Sequence, residues 1–180
     1  MAKHLVISAS PRAMGKSVRT AKELVSKLRL RFPSDEVEML RLSDLDIHYC
    51  MGCNTCGENN ECYMEDGMVE LLAQLETTDH LYIISPVYFA GPPANYKAML
   101  DRFQPLFWSK QGNEPKRPAH LVVIGDGGDP HGFEPLVTCT RSGLAVAGFQ
   151  LHKVLPFIGS ELKPADIGHD LAANLFREDN

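Results

Sequence analysis

The stretch His4-Leu-Val-Ile-Ser-Ala-Ser-Pro-Arg-Ala-Met-Gly-Lys-Ser17 decides the fold. It opens as a short apolar run without polar alternation, the pattern of a strand buried on both faces. Pro11 and Gly15 then break the run. From 17 to 31 the chain sets Leu24, Val25, Leu28 and Leu30 against Lys22, Lys27, Arg29 and Arg31, which reads as an amphipathic helix with a wet basic face. Strand, turn and helix follow each other directly, as in a βα unit.

The same order recurs downstream. A second strand is expected at 37–42, and a helix at 68–75 with Asp66 ahead of Gly67 in the cap region. Residues 80–85 form a continuous apolar strand that Pro86 stops. Pro92 and Pro93 suit the first turn of a helix running through Tyr96, Met99, Leu100 and Phe103. A strand at 120–124 ends in Gly125-Asp-Gly-Gly-Asp129; a helix at 134–147, a last strand at 150–157 and a closing helix between Pro164 and Phe176 complete the chain. Apolar strands alternating with helices mean a parallel sheet covered on both faces. Five of them fit the order 2-1-3-4-5 of a flavodoxin-like three-layer α/β sandwich, here one domain over residues 1–180. Ligands of such a sheet sit beyond the carboxyl ends of its strands, at the switch between the first and third. The site is therefore expected in the segments after strands one, three and four.

Composition narrows the function. With 180 residues, 44% hydrophobic and 23% charged, the chain builds a substantial core without staples. A net charge of −5 speaks against a general nucleic-acid binder. No apolar run approaches the roughly 20 residues of a membrane span. The opening residues read as a strand, not as a secretory leader, so a cytoplasmic location is expected. Five cysteines in a reducing compartment point to metal, cluster or redox chemistry before disulfides.

The loop after the first strand collects donors that suit a phosphate. Ser10 and Ser17 offer hydroxyls, Arg12 and Lys16 positive charge, and the next helix its N-terminal N–H groups, that of Val18 included. Gly15-Lys16-Ser17 resembles the end of an NTPase P-loop, with Asp126 after an apolar strand as a loose acidic partner. That motif's first glycine would fall at Ser10, however, and Pro11 beside it has no N–H to give a phosphate. A single terminal phosphate such as that of FMN fits the turn better. After the third strand, Tyr88 and Phe89 can wall a flat ring while the backbone from Val87 to Phe89 meets its polar edge. Taken alone, the two aromatics fit equally well as plugs beneath the next helix. Gly127 and Gly128 let main chain approach such a ring closely. His131 follows this glycine loop and is a candidate near the ring.

Residues 46–66 form a long loop holding Cys50, Cys53, Cys56 and Cys62. The spacing lets one loop wrap a 4Fe–4S cluster or a tetrahedral metal, or keep free redox-active thiols. It departs from the bacterial ferredoxin run, with five residues before the last cysteine and Tyr63 after it. Cys139 lies apart in a helical stretch and reads as a buried structural thiol.

Ser10-Pro11-Arg12 with Gly15 and Ser17, then Ser85-Pro86-Val87-Tyr88 with Lys97 and Asp101-Arg102, resemble the NADPH-dependent FMN reductases of the flavodoxin-like superfamily. The cysteine run resembles that of iron–sulfur flavoproteins within it. The resemblance covers about residues 3–157 and departs at Ser17-Val18, where the family often has Asn-Thr. It implies FMN, with the phosphate on Ser10, Arg12, Lys16, Ser17 and Val18 and the ring on Pro86, Val87, Tyr88 and Phe89 near Gly127 and Gly128. It further implies NAD(P)H or a ferredoxin-type donor, a quinone, small-molecule or protein acceptor, and a homodimer or higher homo-oligomer. No catalytic side chain is expected, since the flavin carries the chemistry. Lys97, Asp101 and Arg102 read as structural or interface residues. Three rivals remain: a non-enzymatic flavin and iron–sulfur electron carrier, a P-loop nucleotide switch, and a zinc-stabilised binding module.

Overall fold

Strand β1 (Lys3–Ser8) lies at the centre of the molecule because none of its apolar side chains can face water. It pairs in parallel with β2 (Glu36–Arg41) on one side and β3 (His80–Pro86) on the other. Beyond β3 come β4 (Arg117–Gly125) and β5 (Phe149–Ile158), also parallel, giving the order β2-β1-β3-β4-β5. This computed structural model describes residues 1–109 and 115–159, together with 167, 171 and 173–175.

Two helical layers follow from the alternation of strand side chains. Leu5, Ile7, Ile83, Leu121 and Val123 face one layer, where they meet Leu71 of α3 (Gly67–Glu76), Tyr96 and Met99 of α4 (Ala94–Asp101), and Leu136 and Leu144 of α6 (Glu134–Val146). Val6, Tyr82, Ile84 and Val122 face the other, against Ala21, Leu24 and Leu28 of α1 (Lys16–Arg31). Full burial of one such side chain stabilises by about 1.5–3 kcal/mol, so the three inner strands carry most of the core. The edge strands β2 and β5 are only partly buried, and their sequences alternate accordingly.

The sheet order, the parallel pairing and the two covered faces agree with the expected flavodoxin-like class. Several boundaries do not. Residue 42 leaves the expected second strand for a 3-10 turn, Leu42–Asp44. The helix expected to run through Phe103 ends at Asp101, and a separate short helix α5 (Gln104–Trp108) starts on Pro105 in its first turn. The long loop contains a short helix, α2 (Thr55–Asn59). Strand β4 begins at Arg117, earlier than expected, because the Arg117 guanidinium is held by the carbonyls of Leu75 and Thr78 at 2.8 and 2.7 Å and stacks on Phe149. Most of the closing helix expected between Pro164 and Phe176 lies outside the described residues; Ile167, Leu171 and Leu175 are helical and buried on the α1 face. Among the described residues no helix is long and apolar enough to cross a membrane.

Candidate functional site

The loop after β1 delivers an uncapped helix. Gly15 is the N-cap of α1, makes no side-chain cap hydrogen bond, and no acidic residue stands in the first turn. The N–H groups of that turn and the positive end of a 16-residue helix are left to face an anion. Ser10 and Ser17 are buried, and the Ser10 hydroxyl accepts from the backbone N–H of Arg12 at 3.2 Å. The Val18 side chain packs into the core, so Val18 has only its backbone N–H to offer a ligand. Arg12 stands exposed. Lys16 reaches across to Asp126 in the loop after β4, Nζ to Oδ1 3.2 Å.

After β3 the chain makes a two-residue hairpin. Tyr88 and Gly91 exchange two backbone hydrogen bonds of 3.0 Å around Phe89 and Ala90, both at positive φ (49° and 62°). This is the turn that usually carries Asn-Gly, and each non-glycine residue there costs roughly 1–2 kcal/mol. The Ala90 carbonyl accepts from the Leu136 N–H at 3.1 Å, which fastens the turn to the start of α6. Phe89 at the tip is 99% exposed, an aromatic with no cover of its own. Val87, Phe89, Gly127, Gly128, Phe133 and Ile158 line a cavity of about 380 Å³ beside this turn. Gly127 and Gly128 sit at φ of 86° and 93°, a region a side chain would strain.

The four cysteines gather around a second cavity, of about 300 Å³. Cys50, Cys53, Cys56 and Cys62 line one side; Arg102, Gln104, Pro105 and Trp108 close the other. The indole of Trp108 lies over Gly57, where a Cβ would stand 3.4 Å from Cε2. All four are free thiols. Burial pushes the Cys56 thiol up, and the other three cysteines add to that by repulsion. The Thr55 hydroxyl and N–H draw the exposed Cys53 thiol down. Among the described residues no three His, Cys, Asp or Glu side chains are set to hold a metal ion.

The loop is closed at its base by Arg102. This guanidinium is 2% exposed and meets the Asp66 carboxylate twice, Nη1–Oδ2 2.6 Å and Nη2–Oδ1 3.1 Å. Nη1 also donates to the His48 carbonyl at 3.0 Å. Asp66 in turn accepts from the N–H of His48 and caps α3 by accepting from that of Met68, each at 3.0 Å. Burial works to raise the Asp66 carboxyl, but the Arg102 hydrogen bonds and these two N–H donors outweigh it and hold it below the ordinary value.

Of the residues singled out in the sequence, Val87, Phe89, Gly127 and Gly128 share one cavity, and the four cysteines share the other. Tyr88 sits in the hairpin and does not line the first cavity; Pro86 is the last residue of β3. His131 is exposed and is likewise absent from that lining. Lys97 and Asp101 form an exposed helical ion pair of 2.6 Å, whereas Arg102 is the buried clamp just described. Cys139 is partly exposed, not buried as expected, because it borders a groove between α4 and α6. Sequence reasoning missed Trp108, Phe133 and Ile158. The first lies in a helix too short for periodicity, and the other two stand next to loops that only the fold brings together.

A parallel sheet in this order, with an uncapped helix N-terminus after β1 and a cavity between the loops after β3 and β4, defines a flavodoxin-like protein. The chain belongs to the NADPH-dependent FMN reductase family, whose family model matches residues 2–161. It is similar to an iron–sulfur flavoprotein of Methanocaldococcus jannaschii, 34% identical over 56% of this chain and 51% of that protein. The chain thus spans about half the length of that curated relative. It is also 31% identical to an FMN-dependent NADH:quinone oxidoreductase of Mycoplasmoides gallisepticum, over 74% of this chain and 72% of the relative. Among solved structures, an FMN-dependent NADH-azoreductase from Bacillus anthracis in complex with FMN matches with a TM-score of 0.66. That match covers 98% of this chain and 100% of that one at 14% identity.

Proposed function

We propose that the chain binds FMN and works as an oxidoreductase, moving electrons from a reduced nicotinamide or ferredoxin-type donor to a quinone, another small molecule or a protein acceptor. The observation that carries this reading is the Lys16–Asp126 pair, which joins the uncapped α1 loop to the glycine loop bordering the ring-sized cavity. In it, Ser10, Arg12, Lys16, Ser17 and the Val18 N–H hold the phosphate. Val87, Phe89, Gly127 and Gly128 wall the ring, with Pro86 and Tyr88 setting the turn. The flavin, once bound, supplies hydride and single-electron chemistry. The protein's part is to anchor the phosphate, orient the ring and keep water from one face; no side-chain acid or base is assigned. The chemistry of the donor set also fits a 4Fe–4S cluster held by Cys50, Cys53, Cys56 and Cys62, which would supply one-electron transfer. Pairing of two copies belongs to the same reading, since the uncovered Phe89 is an aromatic available to a second chain.

The test is to purify the protein without oxygen, record its absorption, assay iron and sulfide, and follow NADH and NADPH oxidation with a quinone acceptor. Bound flavin with quinone-dependent turnover is the expected outcome. A protein that takes up no flavin after incubation with FMN would overturn it. A carrier acting between proteins is a second reading, favoured by the exposed Tyr49, Met51, Tyr63 and Trp108 around the cysteines. Rapid exchange with a ferredoxin but no turnover of small acceptors would select it.

A further inference from the structure

Arg102 is not fully satisfied by its structural partners. Two of its nitrogens are satisfied by Asp66 and His48, but Nε is buried and has no hydrogen-bond partner among the described residues. A buried guanidinium N–H left unpaired costs about 1–3 kcal/mol. The same side chain lines the cysteine cavity, while Asp66 does not; the carboxylate that does, Asp101, is paired with Lys97. Of the ion pair, then, the cation is the pole next to the sulfurs, and the anion faces away toward the start of α3.

We propose that Arg102 is the fixed positive charge of the cysteine site, a positioning residue that stabilises the negative charge of the inorganic core the four thiols would carry. The proposal rests on the cluster reading above. Four thiolates around an iron–sulfur core make an anion, and reduction by one electron makes it more negative. A neighbouring cation therefore favours the reduced form and raises the potential. The clamp on His48 and Asp66 fixes the distance at which it acts.

The experiment compares wild type, Arg102→Lys and the double variant Arg102→Gln/Asp66→Asn, which removes the cation without stranding a buried carboxylate. Each is reconstituted anaerobically with iron and sulfide, assayed for both, and titrated by electron paramagnetic resonance while the flavin couple is followed by absorption. In the double variant the cluster should become at least tenfold harder to reduce, about 59 mV for one electron. The flavin couple should move much less, and Arg102→Lys should recover most of the shift. A folded double variant that loads no cluster while Arg102→Lys loads one supports the same assignment. Full loading at the wild-type potential overturns it, and failure of both variants to load reduces Arg102 to a structural clamp. Wild-type protein that binds no iron and sulfide removes the cluster reading itself, and the proposal with it.

Discussion

Lys16 Nζ stands 3.2 Å from Asp126 Oδ1, so the two loops flanking the candidate flavin site are tied by an ion pair between residues 110 positions apart. The pair is largely open to solvent and contributes little to stability. Its consequence is for binding. Asp126 places a negative charge where a phosphate would compete for the same lysine. Asp126→Asn is expected to tighten FMN severalfold and Lys16→Gln to weaken it about tenfold, as a charge-assisted contact implies. Riboflavin, which lacks the phosphate, should respond to neither, as fluorescence titration of both ligands would show.

The Tyr96 hydroxyl and the Thr140 hydroxyl meet at 3.0 Å in the fully buried contact between α4 and α6. Tyr96→Phe leaves Thr140 without its partner and should cost about 1–2 kcal/mol in urea unfolding. Thr140→Val should cost a similar amount. The double variant should cost clearly less than the sum, since no buried hydroxyl is then stranded.

Gly67 opens α3 directly against the start of the cysteine loop. A Cβ there would stand 3.0 Å from Leu45 Cβ and 3.1 Å from the backbone nitrogen of Asp46, neither of which can rotate away. Gly67→Ala should lower stability by about 1–3 kcal/mol despite the better helix propensity of alanine. Thermal unfolding measures the loss, and faster alkylation of the four thiols should accompany it.

His120 lies within the sheet, stacked on Tyr82, with its Nδ1 buried and unpartnered among the described residues. Burial lowers its pKa to about 4, helped by His152, His80 and Lys153. The unfolded chain, with an ordinary value near 6.5, binds the proton more readily. The stability due to neutral His120 is therefore complete above about pH 6.5 and is lost as pH falls from there toward 4. Urea midpoints measured across that window should drop for wild type and stay flatter for His120→Leu.

Much of the fold was legible because each inner strand is a short apolar run bounded by Gly or Pro. Burial on both faces leaves no other use for such a run. The phosphate-type loop was legible for a related reason: donors and turn-formers are adjacent in sequence, so no folding is needed to see them together. Residues 101–108 were not. Their break into two helices depends on Arg102 being drawn into Asp66 and on Pro105 restarting the helix, and a five-residue helix shows no period. Cys139 was misjudged because its place in a helical stretch apart from the cysteine run does not reveal a groove between two helices.

By itself the sequence determined the βα alternation, the parallel sheet and the three loops that could bind a flavin, since local pattern and chain order suffice for these. It also set the cysteine spacing. Only the tertiary structure decided what those cysteines face. Arg102 and Trp108 come from a segment some 40–50 positions downstream of the run, and a buried ion pair brings them there. Periodicity records which side of an element is apolar; it carries no record of which distant charge is driven to share a cavity with four sulfurs.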